Sequence, residues 1–326
     1  MKRGTFLALA AWTCLLAMPA APALAQAYPG KPIRFIVPFP AGGGTDMVAR
    51  AVGQRLFALL GQQVIVDNRP GAGGIIGVEA VARSAADGYS VLIAGVAELT
   101  MFPSLYRKLS YDTLRNFQPL SLLALTPQVL VVNPSVVPVA NLRELIAHAR
   151  ANPGRINYGT FGPGSLAHIM VELFAVPAGI KLTSVSYKGS PPALQDLLGG
   201  QIGLMLLSPA LAKSQIDAGK LRGIAVSTKE RIPALPEIAS IHEAGIENYD
   251  ASSWIGSLLP AGTPQEIVIP LNEAMVKAVN SPEVQKFFFA SGIAPLANTP
   301  EQFTQFIRRE IEKWGSAIRP MGLTLD

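Results

Sequence analysis

Twice along this chain a run of apolar residues breaks into a glycine turn and then into a stretch with helical periodicity. Residues 33–39, Ile-Arg-Phe-Ile-Val-Pro-Phe, lead into Pro40-Ala41-Gly42-Gly43-Gly44. Residues Ile156 to Thr160 lead into Phe161-Gly162-Pro163-Gly164. A mostly apolar strand without alternation is covered on both faces, as in a parallel sheet flanked by helices. A strand, a tight turn and an amphipathic helix in repeated order define an α/β fold with right-handed crossovers.

The elements around each turn extend the pattern. After the first, a helix is expected from Thr45 to about Leu60, with Val48, Val52, Leu56 and Leu59 at helical spacing and Gly61 as its stop. Val64 to Val66 and Ser90 to Ala94 read as strands, and Ile75 to Arg83 as a helix between them. The pattern restarts at the strand Val129 to Val132. Asn141 caps a helix that Asn152-Pro153-Gly154 ends, and another helix follows Ser165. Ser190 reads as a helix cap with Pro191 at the first helical position, and Gly199-Gly200 as the end. Strands are expected over Ile202 to Leu207, Leu221 to Val226 and Trp254 to Leu259, and the tail is helical.

At 326 residues, with 49% hydrophobic and 15% charged, the chain is a folded protein long enough for two domains. The simplest arrangement of these elements is a two-lobed α/β protein with two crossings between lobes. Lobe one takes 28–125 plus 252–326, and lobe two takes 126–251. Clefts between domains are favoured ligand sites.

The first 25 residues read as a signal peptide. Lys2 and Arg3 precede an apolar core from Phe6 to Met18, and Ala23-Leu24-Ala25 fits a signal-peptidase site. The only cysteine, Cys14, lies in that segment, so the exported chain would have no disulfide or thiol chemistry. The net charge of +5 is scattered along the chain, which excludes nucleic acid as a partner. No repeat of solenoid or propeller length is present.

Chemistry concentrates at the two turns. A helix N-terminus presents unpaired N–H groups and the positive end of the helix dipole. Glycine lets a ligand approach the main chain. Gly42, Gly43, Gly44 and Thr45 on one side, and Gly162, Gly164 and Ser165 on the other, form two such anion sites without any Arg or Lys. Both helices are expected to begin with a hydroxyl cap. Asp46 in the first helical turn reads either as a partner of the helix dipole or as a ligand-site residue that helps shape the pocket. Trp254 reads as core or hinge packing.

Competing chemistry is weak. Gly71-Ala72-Gly73-Gly74-Ile75-Ile76-Gly77 approaches a dinucleotide fingerprint, but no acidic residue closes a strand some 20 residues on. Ala167 stands where a nucleophile elbow needs its last glycine. His168 is read as a packing or surface residue. His148 and His242 are isolated, and no side-chain set has metal spacing. The expectation is a non-enzymatic protein without cofactor or metal. A periplasmic hydrolase and a ligand sensor docking on a signalling partner are the alternatives.

The motifs then take on a familiar order. Tyr28-Pro29-Gly30-Lys31-Pro32, Val37 to Asp46 and Asp67-Asn68-Arg69-Pro70-Gly71-Ala72-Gly73-Gly74 come first. Ala86-Asp87-Gly88-Tyr89, Tyr187-Lys188-Gly189-Ser190 and Asp196-Leu197-Leu198-Gly199-Gly200-Gln201 follow. Pro260-Ala261-Gly262-Thr263-Pro264 and Thr299-Pro300-Glu301-Gln302-Phe303 complete the series. This order resembles the solute receptors of the tripartite tricarboxylate transporters, the Bug-type family, over essentially the whole exported chain. The resemblance implies a periplasmic, two-lobed receptor of the Venus-flytrap, type II-like periplasmic-binding-protein fold that closes on a small carboxylate and delivers it to membrane permease subunits, and a monomer is expected. By position, Phe39 and Ala41 to Thr45 would line one wall, and Gly162, Gly164 and Ser165 the other.

Three departures bear on the ligand. Leu166 and Ala167 replace a hydroxyl-rich run, and Gly203, Leu207 and Ser208 replace acidic and amide residues. Val96-Ala97-Glu98 occupies a turn that is usually small and polar. Two readings of Glu98 stand: facing the cleft toward a donor or cation, or facing solvent. The first implies a ligand with one carboxylate and a less polar body, amine-bearing or aromatic, rather than citrate.

Overall fold

The computed structural model describes residues 28–325, so the leader expectation, with Cys14, lies outside the described residues. The chain runs β1 (Ile33–Val37), α1 (Gly44–Leu60), β2 (Val64–Asn68), α2 (Ile75–Ala82) and β3 (Ser90–Gly95). A π-helical turn, Ala97–Met101, leads to α3 (Phe102–Leu105), α4 (Thr113–Asn116) and β4 (Phe117–Thr126). Next come β5 (Val129–Val132), α5 (Leu142–Ala151), β6 (Asn157–Thr160), α6 (Leu166–Ala175), β7 (Thr183–Ser186) and α7 (Ser190–Leu198). The order continues with β8 (Leu204–Leu207), α8 (Pro209–Asp217), β9 (Arg222–Val226) and β10 (Ser253–Pro260). The chain ends with α9 (Gln265–Val279), α10 (Pro282–Ala290), β11 (Ala294–Pro295) and α11 (Pro300–Ile318).

These strands form two sheets, one ordered β11-β4-β10-β3-β1-β2 and the other β7-β6-β8-β5-β9. The first sheet thus draws strands from both ends of the described chain and the second only from its middle. The chain passes between them after Thr126 and before Ser253. β1 runs parallel to β2 and β3, and β6 runs parallel to β7 and β8.

Ile33, Phe35 and Val37, on one face of β1, are fully buried, while on the other face Ile36 is 3% exposed and Arg34 reaches solvent. On α1 the expected stripe holds for Val48, Val52 and Leu56, which are fully buried, and fails at Leu59, which is 39% exposed. One apolar cluster contains both Leu92 of the first sheet and Leu204 of the second, so the two halves share a core along their contact.

Several local expectations need correction. Neither sheet is purely parallel: β10 is antiparallel to β3 and β4, and β5 is antiparallel to β8 and β9. β10 enters the first sheet directly from the second crossing and not through a crossover helix, so it runs against β3. β4 has no counterpart among the expected strands, because Gln118, Pro119 and Ser121 interrupt its apolar run. Proline lacks a ladder donor and is tolerated at irregularities. Here Pro119 pairs with Leu258 beside a register shift.

Gly189, not Ser190, is the N-cap of α7, and Ser190 and Pro191 lie inside its first turn. The N-cap of α1 is Gly43, without a side-chain cap, so Thr45 does not cap that helix. The glycine series 71–77 has a packing role. A Cβ on Gly77 would lie 2.8 Å from Pro38 Cα and 2.9 Å from Arg69 O, so only glycine lets α2 sit this close to β1.

Two contacts set the orientation of the halves. Beyond β6, Gly164 packs on Leu325 and on Leu105, which follows β3; Leu325 N–H donates to Leu105 O at 2.7 Å. Beyond β8, Pro209 packs on Gly292, which precedes β11, where a Cβ would meet Pro209 Cβ at 2.8 Å. Both contacts join the carboxyl edge of the parallel strands in one sheet to the same edge of the other. The carboxyl edges therefore face each other, where ligands of open α/β sheets bind.

Candidate functional site: two helix starts across a cleft

The first turn leaves β1 and is solvent-exposed from Pro40 to Gly44, while Asp46 is only 2% exposed. Asp46 Oδ2 accepts from Gly42 N at 2.9 Å and from Arg50 Nε at 2.9 Å. Its Oδ1 accepts from Asn68 Nδ2 at 3.0 Å, and the same amide donates to Phe39 O at 3.0 Å. Asp46 is thus more than a dipole partner: it ties the turn, the helix and the end of β2 together. Burial opposes its ionisation, but the bonds from Arg50, Gly42 and Asn68 outweigh burial and hold its pKa below the usual range. The Gly42 N–H is consumed by this tie. The N–H groups of Gly43, Gly44 and Thr45 have no partner among the described residues.

Replacing Asp46 with Ala leaves the Gly42 and Asn68 donors unpaired. The expected loss is about 1–3 kcal/mol of unfolding free energy, read by urea titration. A change below about 0.5 kcal/mol would show that the tie is not needed to hold the turn.

The second turn follows the same plan with different tools. Ser165 is the N-cap of α6, and its Oγ accepts from His168 N and from Phe161 N, each at 3.4 Å. Gly162 N donates to Thr160 Oγ1 at 3.3 Å, and Gly164 N donates to His168 Nδ1 at 3.0 Å. Burial lowers the His168 pKa, which favours the neutral ring whose Nδ1 can accept. His168 is therefore the brace of the second turn, a role its helical position alone does not disclose. With Gly162 and Gly164 satisfied internally, the main-chain donors here without a partner among the described residues are Leu166 and Ala167 N–H.

Glu98 lies in the π-helical turn beyond β3 and is only 1% exposed, which removes the solvent-facing reading. Its Oε1 accepts from Gly95 N at 3.1 Å. A Cβ on Gly74 would lie 3.5 Å from Glu98 Cγ and 3.6 Å from Phe39 Cζ, so this carboxyl sits behind the first wall. Burial pushes its pKa up to about 7. Ser208, the N-cap of α8, is half-buried next to the Pro209–Gly292 contact, and its hydroxyl makes no capping bond. Trp254 is buried against α11.

Two cavities have no predicted wall residue in their lining. One, of about 330 Å³, is lined by Tyr106, Arg107, Lys108 and Leu325. The other, of about 630 Å³, runs along Leu173, Tyr249 and Trp314. Among the described residues no group of three His, Cys, Asp or Glu side chains converges as a metal site, and no helix is long and apolar enough to cross a membrane.

Two α/β halves with facing carboxyl edges and open helix starts on each define the architecture of periplasmic solute-binding proteins. The chain belongs to the tripartite tricarboxylate transporter receptor family, whose model matches residues 48–323. It is 38% identical over 307 residues to BugT of Bordetella pertussis, covering 94% of each chain. The periplasmic binding protein BugD superposes with a TM-score of 0.82 at 31% identity, covering 91% of this chain and 99% of that one. Rpa4515 of R. palustris, solved with adipate, superposes with a TM-score of 0.84 at 34% identity, covering 91% and 99%.

Proposed function

We propose that this protein is an exported receptor that captures a small organic carboxylate by lobe closure and delivers it to the membrane permease of a tripartite tricarboxylate-type transporter. It does so without chemical turnover. Residues 1–25 are removed as a signal peptide. Residues 28–125 with 252–326 form one lobe and 126–251 the other, hinged at the two crossings.

The observation that carries this reading is the pair of unsatisfied helix starts on opposed edges. Gly43, Gly44 and Thr45 donate to one end of the ligand's carboxylate, with Phe39 and Ala41 beside them. Leu166 and Ala167 donate from the other lobe. A ligand touching both lobes stabilises the closed form because only that form offers both donor sets. The carboxylate seen in Rpa4515 supports the ligand class.

Thermal denaturation against a carboxylate library tests the proposal. A ligand at 100 times its Kd adds about 2.7 kcal/mol to stability, and closure reduces the radius of gyration in X-ray scattering. Conversion of the bound acid into a product would overturn it, as would a library without a single stabilising carboxylate.

A further inference from the structure

The second anion turn and the larger cavity lie at opposite ends of one helix. α6 has 10 residues and is therefore about 15 Å long. At its start, Gly164 packs on the half built around the first sheet: a Cβ there would meet the Leu325 side chain and lie 3.4 Å from Leu105 Cδ1. At its end, Leu173 and, just past the helix, Pro177 stand off α11 across the cavity of about 630 Å³. Trp314 and Ala317 of α11 form the facing wall. The helix thus touches the opposite half at the cleft and is parted from it at the far end.

Each wall is tied within its own half. Trp314 is buried and donates to Glu310, which also accepts from Trp254 of β10. On the other side Tyr249, close before the second crossing, is buried, and its hydroxyl donates to Met170 O in the middle of α6 at 2.9 Å. That bond fastens the helix beside the crossing. Between the walls the ties stop: among the described residues no hydrogen bond or ion pair joins 313–317 to 245–250 or to 173–177. Closely packed elements shift as rigid bodies and do not stretch. A rotation of one half against the other must therefore change the space between these walls.

Resting on the lobe-closure reading above, we infer that this cavity is the counterpart of the cleft, wide when the cleft is shut and narrowed when it opens. α6 is the lever, held at Met170 beside the crossing. Opening parts Gly164 from Leu325 and carries the helix start away from the first half. The same rotation swings Leu173 and Pro177 down on Trp314 and Ala317. Bulk that fills the cavity blocks this swing and favours the closed form. Carboxylate affinity then rises although no group in the cleft has changed, because the closed form is the one that holds the ligand.

The test uses a pair of nitroxide labels on the chain from Gln26 onward, which contains no cysteine. Gln54→Cys on α1 and Gln195→Cys on α7 place them at exposed positions, one on each half. Pulsed electron resonance then gives the ratio of short to long separations without any ligand. Ala317→Phe, which adds a ring to the cavity wall, should raise that ratio about 5-fold or more. Leu325→Ala, which thins the contact at the helix start, should lower it, and Ala317→Phe in that background should restore it. Ser316→Trp, at an exposed position of the same wall, replaces Ala317→Phe if that chain does not fold. A ratio that filling lowers, or leaves unchanged in both backgrounds, overturns the inference and leaves the receptor reading intact. If no carboxylate of the library raises the ratio in the Leu325→Ala chain, both readings end.

Discussion

Glu310→Leu is expected to lower the unfolding free energy by about 4 kcal/mol, one of the largest losses from a single polar side chain in this protein. Glu310 on α11 is 6% exposed, and its Oε2 accepts from two buried indoles, Trp254 Nε1 at 3.0 Å and Trp314 Nε1 at 2.9 Å. Its other oxygen meets Lys313 Nζ at 2.7 Å, but that lysine is 37% exposed, so the ion pair contributes little by comparison. Leucine fills the space and leaves both indole donors buried without an acceptor, at about 1–3 kcal/mol for each.

Trp254 stands near the start of β10, just past the second crossing, and packs edge-on against Phe303 at 5.8 Å and Phe306 at 5.4 Å. The loss therefore falls where the first sheet is closed by the returning chain. Glu310→Gln keeps an acceptor oxygen and should cost only about 1 kcal/mol. Urea titration followed by tryptophan fluorescence reads both. A leucine variant within about 0.5 kcal/mol of the parent would mean that the indoles find other acceptors.

What could be read from the residues divides along a physical line. Apart from the caps expected at Thr45 and Ser190, whose places Gly43 and Gly189 take, local signals survived: the strand at Ile33, the stripe Val48-Val52-Leu56, the cap at Asn141 and the cap at Ser165 depend on neighbours in sequence and are found where expected. Features set by distant partners did not. β4 is a strand because β10 and β11 pair with it, and nothing within its own ten residues announces that.

The same division holds at the site. Gly42 and Gly164 were legible as turn residues, but the fate of their N–H groups depends on Asp46 and His168 four residues on, folded back by the helix. A spacing of four residues from a turn glycine to an Asp or His at a helix start is the signal that would have pointed to both. The contact of Leu325 with Gly164 joins distant parts of the described chain and had no local trace.

Glu98 supplies the remaining large effect, and its sign follows from burial. In the unfolded chain this carboxyl has a pKa near 4.5, and in the fold burial pushes it up to about 7. The folded state therefore favours the protonated acid. The contribution of Glu98 to stability is complete below about pH 4.5 and is lost as pH rises through 7. Its surroundings offer little to offset this. Its own main-chain N–H and that of Gly95 donate to the carboxyl, Tyr111 OH donates to its main-chain carbonyl at 2.6 Å, and among the described residues no cationic side chain helps to hold the ionised form. Tyr111 itself is held un-ionised by burial, with Glu98, Tyr106 and Glu79 adding repulsion.

Glu98→Gln keeps the acceptor for Gly95 and cannot ionise. Its stability relative to the parent should be nearly unchanged at pH 4 and rise steadily between pH 5 and 8. The expected gain at pH 8 is on the order of 3 kcal/mol, because raising a pKa tenfold in proton affinity is equivalent to about 1.4 kcal/mol. Thermal or urea unfolding of both proteins across that range gives the answer. Parallel profiles would mean that the acid is solvated or paired in solution, whereas a gain growing with pH places an uncompensated carboxylate behind the first wall of the cleft.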